Sequence, residues 1–325
     1  MKVFITGGTG AIGQYVTLEV AGRGHEVIVL SRTPDKYAPM LDIPVQSTTS
    51  GDKGSIKIVK GLMTEYDLMA EYVRNCDAVI SIALGWGNEP VSMLANDTAA
   101  TVNLLEISEK AGVDKFIFTS STAAMGNCVP GIDETFCNMP TNLYGSTKSS
   151  IEAYVIGFSQ YFPEAGKEPK IVTMKRNVIR PGYTFGTPCF PGGTVQLDAR
   201  FRNIAIAIIN NEPVRLTKHD GTQFLSGAQI AKVYAEILES DLNEEIFLAL
   251  AADFTTWERI AEIALEEYPG STSTIEVEDK GWNSTPTLYG VDKIKRFFGL
   301  AFRGEDEIRA HIKWSLENAL DAYGK

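Results

Sequence analysis

The stretch Lys2-Val3-Phe4-Ile5-Thr6-Gly7-Gly8-Thr9-Gly10-Ala11-Ile12-Gly13 reads as a buried strand, a glycine turn and the start of a helix. Val3 to Ile5 is a short apolar run, and Val16, Leu18 and Val20 continue with helical spacing. Gly7, Gly10 and Gly13 form G-x-x-G-x-x-G. The first glycine permits a tight turn. The second removes a side chain where a pyrophosphate must approach the backbone, and the third lets helix and strand pack closely. A helix N-terminus adds free N–H groups and a positive dipole end. A dinucleotide site is therefore expected at Gly7, Gly10, Ala11, Ile12 and Gly13.

Outward from this stretch, strands alternate with helices. Glu26–Leu30 is the second strand, and 33–54, rich in Pro, Ser, Thr, Gly and Asp, reads as a loop with at most a short helix. Strands are expected at Ile56–Val59, Asp77–Ala83, Lys115–Thr119 and within Ile171–Ile179, with helices over about Glu65–Arg74, Pro90–Ala111 and from Asn142 onward. This alternation predicts an α/β fold, a Rossmann-type doubly wound parallel sheet covered on both faces, with a smaller C-terminal α/β substrate lobe. We place the nucleotide-binding domain at residues 1–182 and the substrate lobe at 183–325, with the chain re-entering the first domain within about 213–250. In the lobe, helices are expected near 195–210, 228–239, 256–267 and 305–323, and strands near 214–216 and 245–250.

The second strand ends Leu30-Ser31-Arg32-Thr33. An acid there would hold the adenosine ribose hydroxyls, whereas an arginine suits a 2′-phosphate. Ser31 and Arg32 thus favour NADP(H), with NAD(H) as the alternative.

Ser121 and Tyr144-Gly145-Ser146-Thr147-Lys148 form the second constellation. Tyr144 and Lys148 stand i and i+4 on one helical face. A nearby ammonium favours phenolate, so a lowered Tyr144 pKa and a role as general acid or base are expected. Ser121 leaves the end of the fifth strand, on the edge where ligands bind in such sheets. A lone Y-x-x-x-K is commonly a solvated pair; here the glycine turn and Thr119-Ser120-Ser121 give it a context.

With these residues in place, the chain resembles the extended short-chain dehydrogenases/reductases, the superfamily of nucleotide-sugar epimerases, dehydratases and dihydroflavonol-type reductases, and in motif it stands nearest the last. The resemblance rests on 6–13, Asn103-Leu104-Leu105-Glu106, 116–121, Tyr144 with Lys148, and Arg180-Pro181-Gly182-Tyr183-Thr184-Phe185-Gly186. It implies that Tyr144 is the acid/base and that Lys148 lowers its pKa and binds the nicotinamide ribose. It further implies that Ser121 orients the substrate oxygen and that Pro181-Gly182 lines the nicotinamide. Cofactor contacts are also expected at Leu62, where the family usually has an adenine-binding Asp, and at Ala83. Asp97 stands where the family usually has Asn, and Arg176 or, by the better fit, Arg180 is the strand-end arginine.

Two chemistries compete on this scaffold. In one, NADPH reduces a ketone or aldehyde; in the other, tightly held NAD serves a nucleotide-sugar epimerase or dehydratase. Diphosphate anchors expected by resemblance are replaced by Tyr183, by Leu225-Ser226 and by a segment, 279–287, whose sole cation is Lys280. This favours the reductase of a less charged substrate. A non-catalytic nucleotide sensor ranks last, since Ser121, Tyr144 and Lys148 are all present. Trp86, Met125, Tyr183, Phe185 and Phe190 are candidates to line the substrate pocket.

Composition bounds the rest. A net charge of −11 argues against a nucleic-acid partner. Four dispersed cysteines and three scattered histidines predict free thiols and no metal site. No apolar run reaches membrane-spanning length and the first strand begins at residue 2, so a cytoplasmic protein without a membrane partner is expected. By analogy with relatives, helices 90–111 and 142–161 are expected to pair in a homodimer.

Overall fold

The computed structural model describes residues 1–40, 43–46, 53–84, 89–190 and 198–319. β1 (Lys2–Thr6) leads through the glycine turn into α1 (Gly13–Gly22) and β2 (Glu26–Ser31). A 3-10 turn at Pro34–Met40 precedes β3 (Ile43–Gln46) and β4 (Lys53–Lys60); α2 (Tyr66–Val73) and β5 (Ala78–Ser81) follow. Next come α3 (Pro90–Met93), a π-helical turn at Leu94–Ala99, α4 (Ala100–Lys110) and β6 (Lys115–Thr119). α5 (Leu143–Gly157), a small hairpin of β7 (Gln160–Tyr161) and β8 (Lys170–Ile171), and β9 (Lys175–Pro181) close the first half.

The second half runs β10 (Thr184–Phe185), α6 (Arg200–Ile209), β11 (Val214–Thr217), β12 (Gly221–Thr222), β13 (Leu225–Ser226), α7 (Gly227–Glu239) and β14 (Ile246–Ala249). It ends with β15 (Thr255–Thr256), α8 (Trp257–Glu267), β16 (Ile275–Glu278), α9 (Asp292–Phe298) and α10 (Glu305–Asn318).

Among the described residues, eight strands form the main sheet in the order β14-β9-β6-β5-β1-β2-β4-β3. Seven are parallel, and the edge strand β3 runs antiparallel to β4. The chain passes from β1 outward to β2 and β4, then returns to β5 on the other side of β1. Such a reversal opens a crevice at the carboxyl ends of the strands. Both faces are dry, as a parallel sheet requires. Val3, Ile5, Val27, Val29, Ile80 and Ile117 face a core shared with α1 and α7. Phe4, Val79, Phe116 and Phe118, their neighbours along the strands, face the core of α2, α4 and α5. The lobe has its own core, where Phe185, Phe201, Phe224 and Trp257 pack edge-to-face.

The structure departs from the expected elements in places. Within 33–54, read as a loop, lie the 3-10 turn, the edge strand β3 and the start of β4. The helix expected over 90–111 is interrupted by the π turn. The sixth parallel strand starts at Lys175, inside the expected span 171–179, and runs on to Pro181, while Lys170–Ile171 pairs back on Gln160–Tyr161. β16 and α9 were not expected from the sequence pattern.

Two features yield measurable consequences. A Cβ at position 13 would stand 2.0 Å from the Gly7 carbonyl oxygen, so α1 touches the turn through a bare backbone. Gly13→Ala is expected to lower stability by about 2–4 kcal/mol, read from urea unfolding. His311 is buried against Phe185 and Phe201, at 5.3 and 4.7 Å between ring centres, and burial pushes its pKa down to about 4. The unfolded chain binds this proton near pH 6.5 and the folded chain does not, so stability falls as pH drops from 6.5 towards 4, by about 3 kcal/mol. His311→Phe should flatten that part of the stability-pH curve relative to the parent.

Candidate active site

The residues singled out by the sequence gather along the carboxyl edge of the sheet. Gly7 follows β1 with φ +71° and packs on the backbone of Ala83, which follows β5. A Cβ at Gly10 would meet only the Gly7 carbonyl oxygen, at 3.2 Å, so the outer face of the turn lies open. Ala11 and Ile12 stand at the N-terminus of α1, where amides lack intrahelical acceptors. Together these features fit a dinucleotide pyrophosphate.

Ser121 begins a 3-10 turn just past β6 and accepts the Ala123 amide at 3.2 Å. α5 opens on Asn142, whose side chain accepts the Gly145 amide at 2.8 Å. Gly145 lets the first turn of α5 lie on the Ser121 turn: a Cβ there would stand 2.2 Å from the Ala123 carbonyl oxygen. This contact brings Tyr144 to Ser121, and the two hydroxyls hydrogen-bond. One turn on, Lys148 is 2% exposed and its Nζ donates to the Thr119 carbonyl at 2.6 Å.

The electrostatics correct one expectation. Burial raises the Tyr144 phenol above its ordinary value, opposed by the Ser121 hydrogen bond. The Lys148 ammonium stands 6.0 Å from the Tyr144 ring centre and is bound to Thr119, so desolvation dominates over its attraction. Burial also pulls Lys148 down to about 8, against the attraction of Asp97 and Glu152. Tyr144 thus rests as the protonated acid.

The sequence named Asp97 and Arg180 without giving them a part in this site, and it did not single out Glu152, Asn138, Gln14 or Tyr15. Asp97, 3% exposed, sits in the π turn and acts on Lys148. Glu152, two helical turns beyond Tyr144, forms a buried ion pair with Arg180 at 2.8 Å, and Asn138 bonds both. Arg180 therefore braces α5 from β9. Arg176 instead binds Glu244 and the carbonyls of Val155 and Ile156. The spacing Y-x-x-x-K-x-x-x-E was the available signal for Glu152. Gln14 accepts the amides of Cys189 and Phe190, and the Tyr15 hydroxyl donates to the Thr187 carbonyl at 2.6 Å. These contacts tie the segment after β10 to α1.

At the cofactor positions, Ser31 is buried and its hydroxyl accepts the Thr33 amide, while Arg32 is exposed at the end of β2. Leu62 is exposed just past β4, and its amide donates to Glu65. Pro181 closes β9, and Gly182 packs on Leu250.

The expected pocket residues fare worse. Met125, Phe185 and Phe190 are core, 2–3% exposed: Met125 packs with Ile132 and Leu250, Phe185 in the lobe and Phe190 on Tyr37. Apolar side chains next to strand ends have gone into the nearest core. Tyr183 lies against Phe224 and Trp257, with the Arg200 guanidinium 5.5 Å above its ring. Trp86 lies outside the described residues. Among the described residues no cluster of His, Cys, Asp and Glu could hold a metal, and no helix is long and apolar enough to cross a membrane.

The chain also resembles proteins already known. The model of the NAD dependent epimerase/dehydratase family matches residues 3–165. A UDP-glucose 4-epimerase of Halalkalibacterium halodurans is 28% identical over 183 residues, 52% of each chain. One from Rhizobium leguminosarum bv. trifolii is 25% identical over 167 residues, 49% of this chain and 47% of that one. The chain spans about half the length of the curated relatives it matches. Among solved structures, a UDP-glucuronic acid 4-epimerase from Bacillus cereus in complex with NAD superposes with a TM-score of 0.75 at 16% identity, covering 100% of both chains. That likeness shows the fold.

Tyr144→Phe removes one hydroxyl from this arrangement. It should lower turnover at least about a hundredfold while leaving dinucleotide affinity within about twofold, measured by steady-state kinetics and calorimetric titration. Undiminished turnover would remove Tyr144 from the chemistry.

Proposed function

Because the chain belongs to the NAD dependent epimerase/dehydratase family, we propose that it is an NAD-linked enzyme that oxidises and re-reduces a carbinol carbon of a nucleotide sugar. The observation that carries this reading is the Ser121–Tyr144–Lys148 geometry at the carboxyl edge of the sheet, beside an open glycine turn. The curated relatives that support the substrate class are named UDP-glucose 4-epimerases.

The glycine turn and the start of α1 would hold the pyrophosphate, and Lys148 with Pro181-Gly182 the nicotinamide end. The dinucleotide, when bound, supplies a hydride acceptor and donor. The protein's own part is proton handling. Tyr144, once its phenol proton has passed to solvent, takes the carbinol proton on Oη as the carbonyl forms and returns it when the carbonyl is reduced. Ser121 holds the same substrate oxygen. Lys148 offers positive charge to the phenolate, favouring the ionised form that burial alone opposes.

A groove of about 600 Å³ in the lobe, lined in part by Arg200, Arg215, Leu216, Trp257 and Lys280, is the candidate substrate surface. Its three cations are paired: Arg200 with Asp198, Arg215 with Glu276, Lys280 with Glu278. Arg215 and Lys280 are at least half exposed, and exposed pairs contribute roughly 0–1 kcal/mol, so a diphosphate can displace their carboxylates.

That charge balance, and Arg32 at the end of β2, favour a second reading: an NADP-linked reductase of a less charged ketone or aldehyde. The two differ in what is consumed. With UDP-glucose and NAD, the first reading predicts a product of unchanged mass and different chromatographic mobility, or its dehydrated counterpart, with no net NADH. If UDP-glucose and other UDP-sugars stay unchanged while NADPH is consumed stoichiometrically with simple ketones or aldehydes, the reductase reading replaces it.

A further inference from the structure

Lys148 is held by a carbonyl whose own residue is held from the far side of the sheet. Thr119 ends β6, and its carbonyl oxygen accepts from Lys148 Nζ at 2.6 Å. Its hydroxyl shares a 2.6 Å hydrogen bond with the hydroxyl of Tyr234. Both groups are out of water: Thr119 is 4% exposed and Tyr234 fully buried. Two residues beyond Thr119 comes Ser121, bonded to Tyr144. The Ser120 amide between them donates to the Ile179 carbonyl at 2.7 Å. A single tripeptide, 119–121, therefore carries the contacts of Lys148 and of Tyr144, and Tyr234 is the side chain that pins its first residue.

We propose that Tyr234, acting through Thr119, is a positioning residue for Lys148. It rests on the reading of Ser121, Tyr144 and Lys148 as the reacting site, and it names a residue on α7, an element outside the motifs that define that site. Burial holds the Tyr234 phenol well above its ordinary value, so this hydroxyl stays neutral and serves as a fixed dipole rather than as a base. A phenol is a stiff anchor, with two side-chain torsions inside a packed core. α7 itself begins at a Ser226–Gln229 capping box, directly after the strand that pairs with Thr184–Phe185 of the lobe. Tyr15 packs on Gly227 at the same end and on Gly186 after β10. The helix that starts at the lobe thus delivers the hydroxyl that fixes the lysine's acceptor.

The charged and titratable groups around Lys148 are Asp97 from the π turn, Glu152 on its own helix, paired with Arg180 of β9, and the Tyr144 phenol one turn before it. Removing the Tyr234 hydroxyl leaves all of these in place. It frees the Thr119 side chain and loosens the strand end that presents the carbonyl, so that the carbonyl holds the ammonium less well, and the ammonium form should then lose its proton at lower pH.

The test reads Lys148 directly and needs no substrate. In protein labelled with ¹³C at the lysine ε-carbons, with Lys148→Met identifying the resonance, the parent should titrate near the value of about 8 set by burial. Tyr234→Phe and Thr119→Val each should lower that midpoint by about half a unit or more, and the double variant should shift it no further than either alone. Thr119→Ser, which keeps the hydroxyl, should restore it. An unchanged midpoint in a folded Tyr234→Phe or Thr119→Val protein would overturn the proposal, leaving Tyr234 a packing residue. NAD added to the same samples separates this assignment from the proposed function. A shifted Lys148 in a protein that binds no nicotinamide nucleotide would contradict the proposed function and leave this assignment standing.

Discussion

A lysine ammonium buried to 2% exposure is the constraint around which this site is built. Removing such a charge from water is costly unless hydrogen bonds and opposite charges replace the solvent. Lys148 receives a carbonyl from the end of β6 and carboxylates from the π turn and from its own helix. Glu152 is itself compensated by Arg180 on β9. Strand ends, the interrupted helix and α5 are thus arranged so that one cation persists in the interior. The same arrangement sets Tyr144 against Ser121. Burial still pulls Lys148 down to about 8 against Asp97 and Glu152, which suits the role proposed for it, stabilising a transient phenolate.

The second constraint is close backbone approach. Without side chains at 13 and 145, α1 lies on the turn that follows β1 and α5 on the turn that follows β6. Both turns are strand exits on the same edge of the sheet. Two glycine contacts therefore place the glycine turn and the Ser121–Tyr144 pair on one side of the molecule. The lobe is tied to this edge by Gln14 and Tyr15, which hold the segment at 187–190.

The parts legible in the sequence were those written in short spacing. The glycine turn, the Tyr144–Lys148 pair, the helix start near Asn142 and the alternation of strands and helices all depend on neighbours a few residues apart. The parts that were not legible depend on distant partners. Tyr234 meets Thr119 across 115 residues, and Arg180 meets Glu152 across 28. The raised Tyr144 phenol follows from burial, which spacing does not encode. Phe185 and Phe190 illustrate a different failure. An aromatic residue after a strand fits a pocket wall and a core equally well in sequence, and only packing decides. β3 escaped notice because a short edge strand within a polar stretch of sequence carries little hydrophobic pattern.

On the proposed reading, this scaffold serves a nicotinamide dinucleotide used in a self-restoring redox cycle. The most direct measurement is to denature the purified protein with nothing added and identify the nucleotide it releases. The account predicts NAD, retained in a substantial fraction of the molecules. A protein that releases none, and that when titrated binds NADPH far more tightly than NADH, would contradict it.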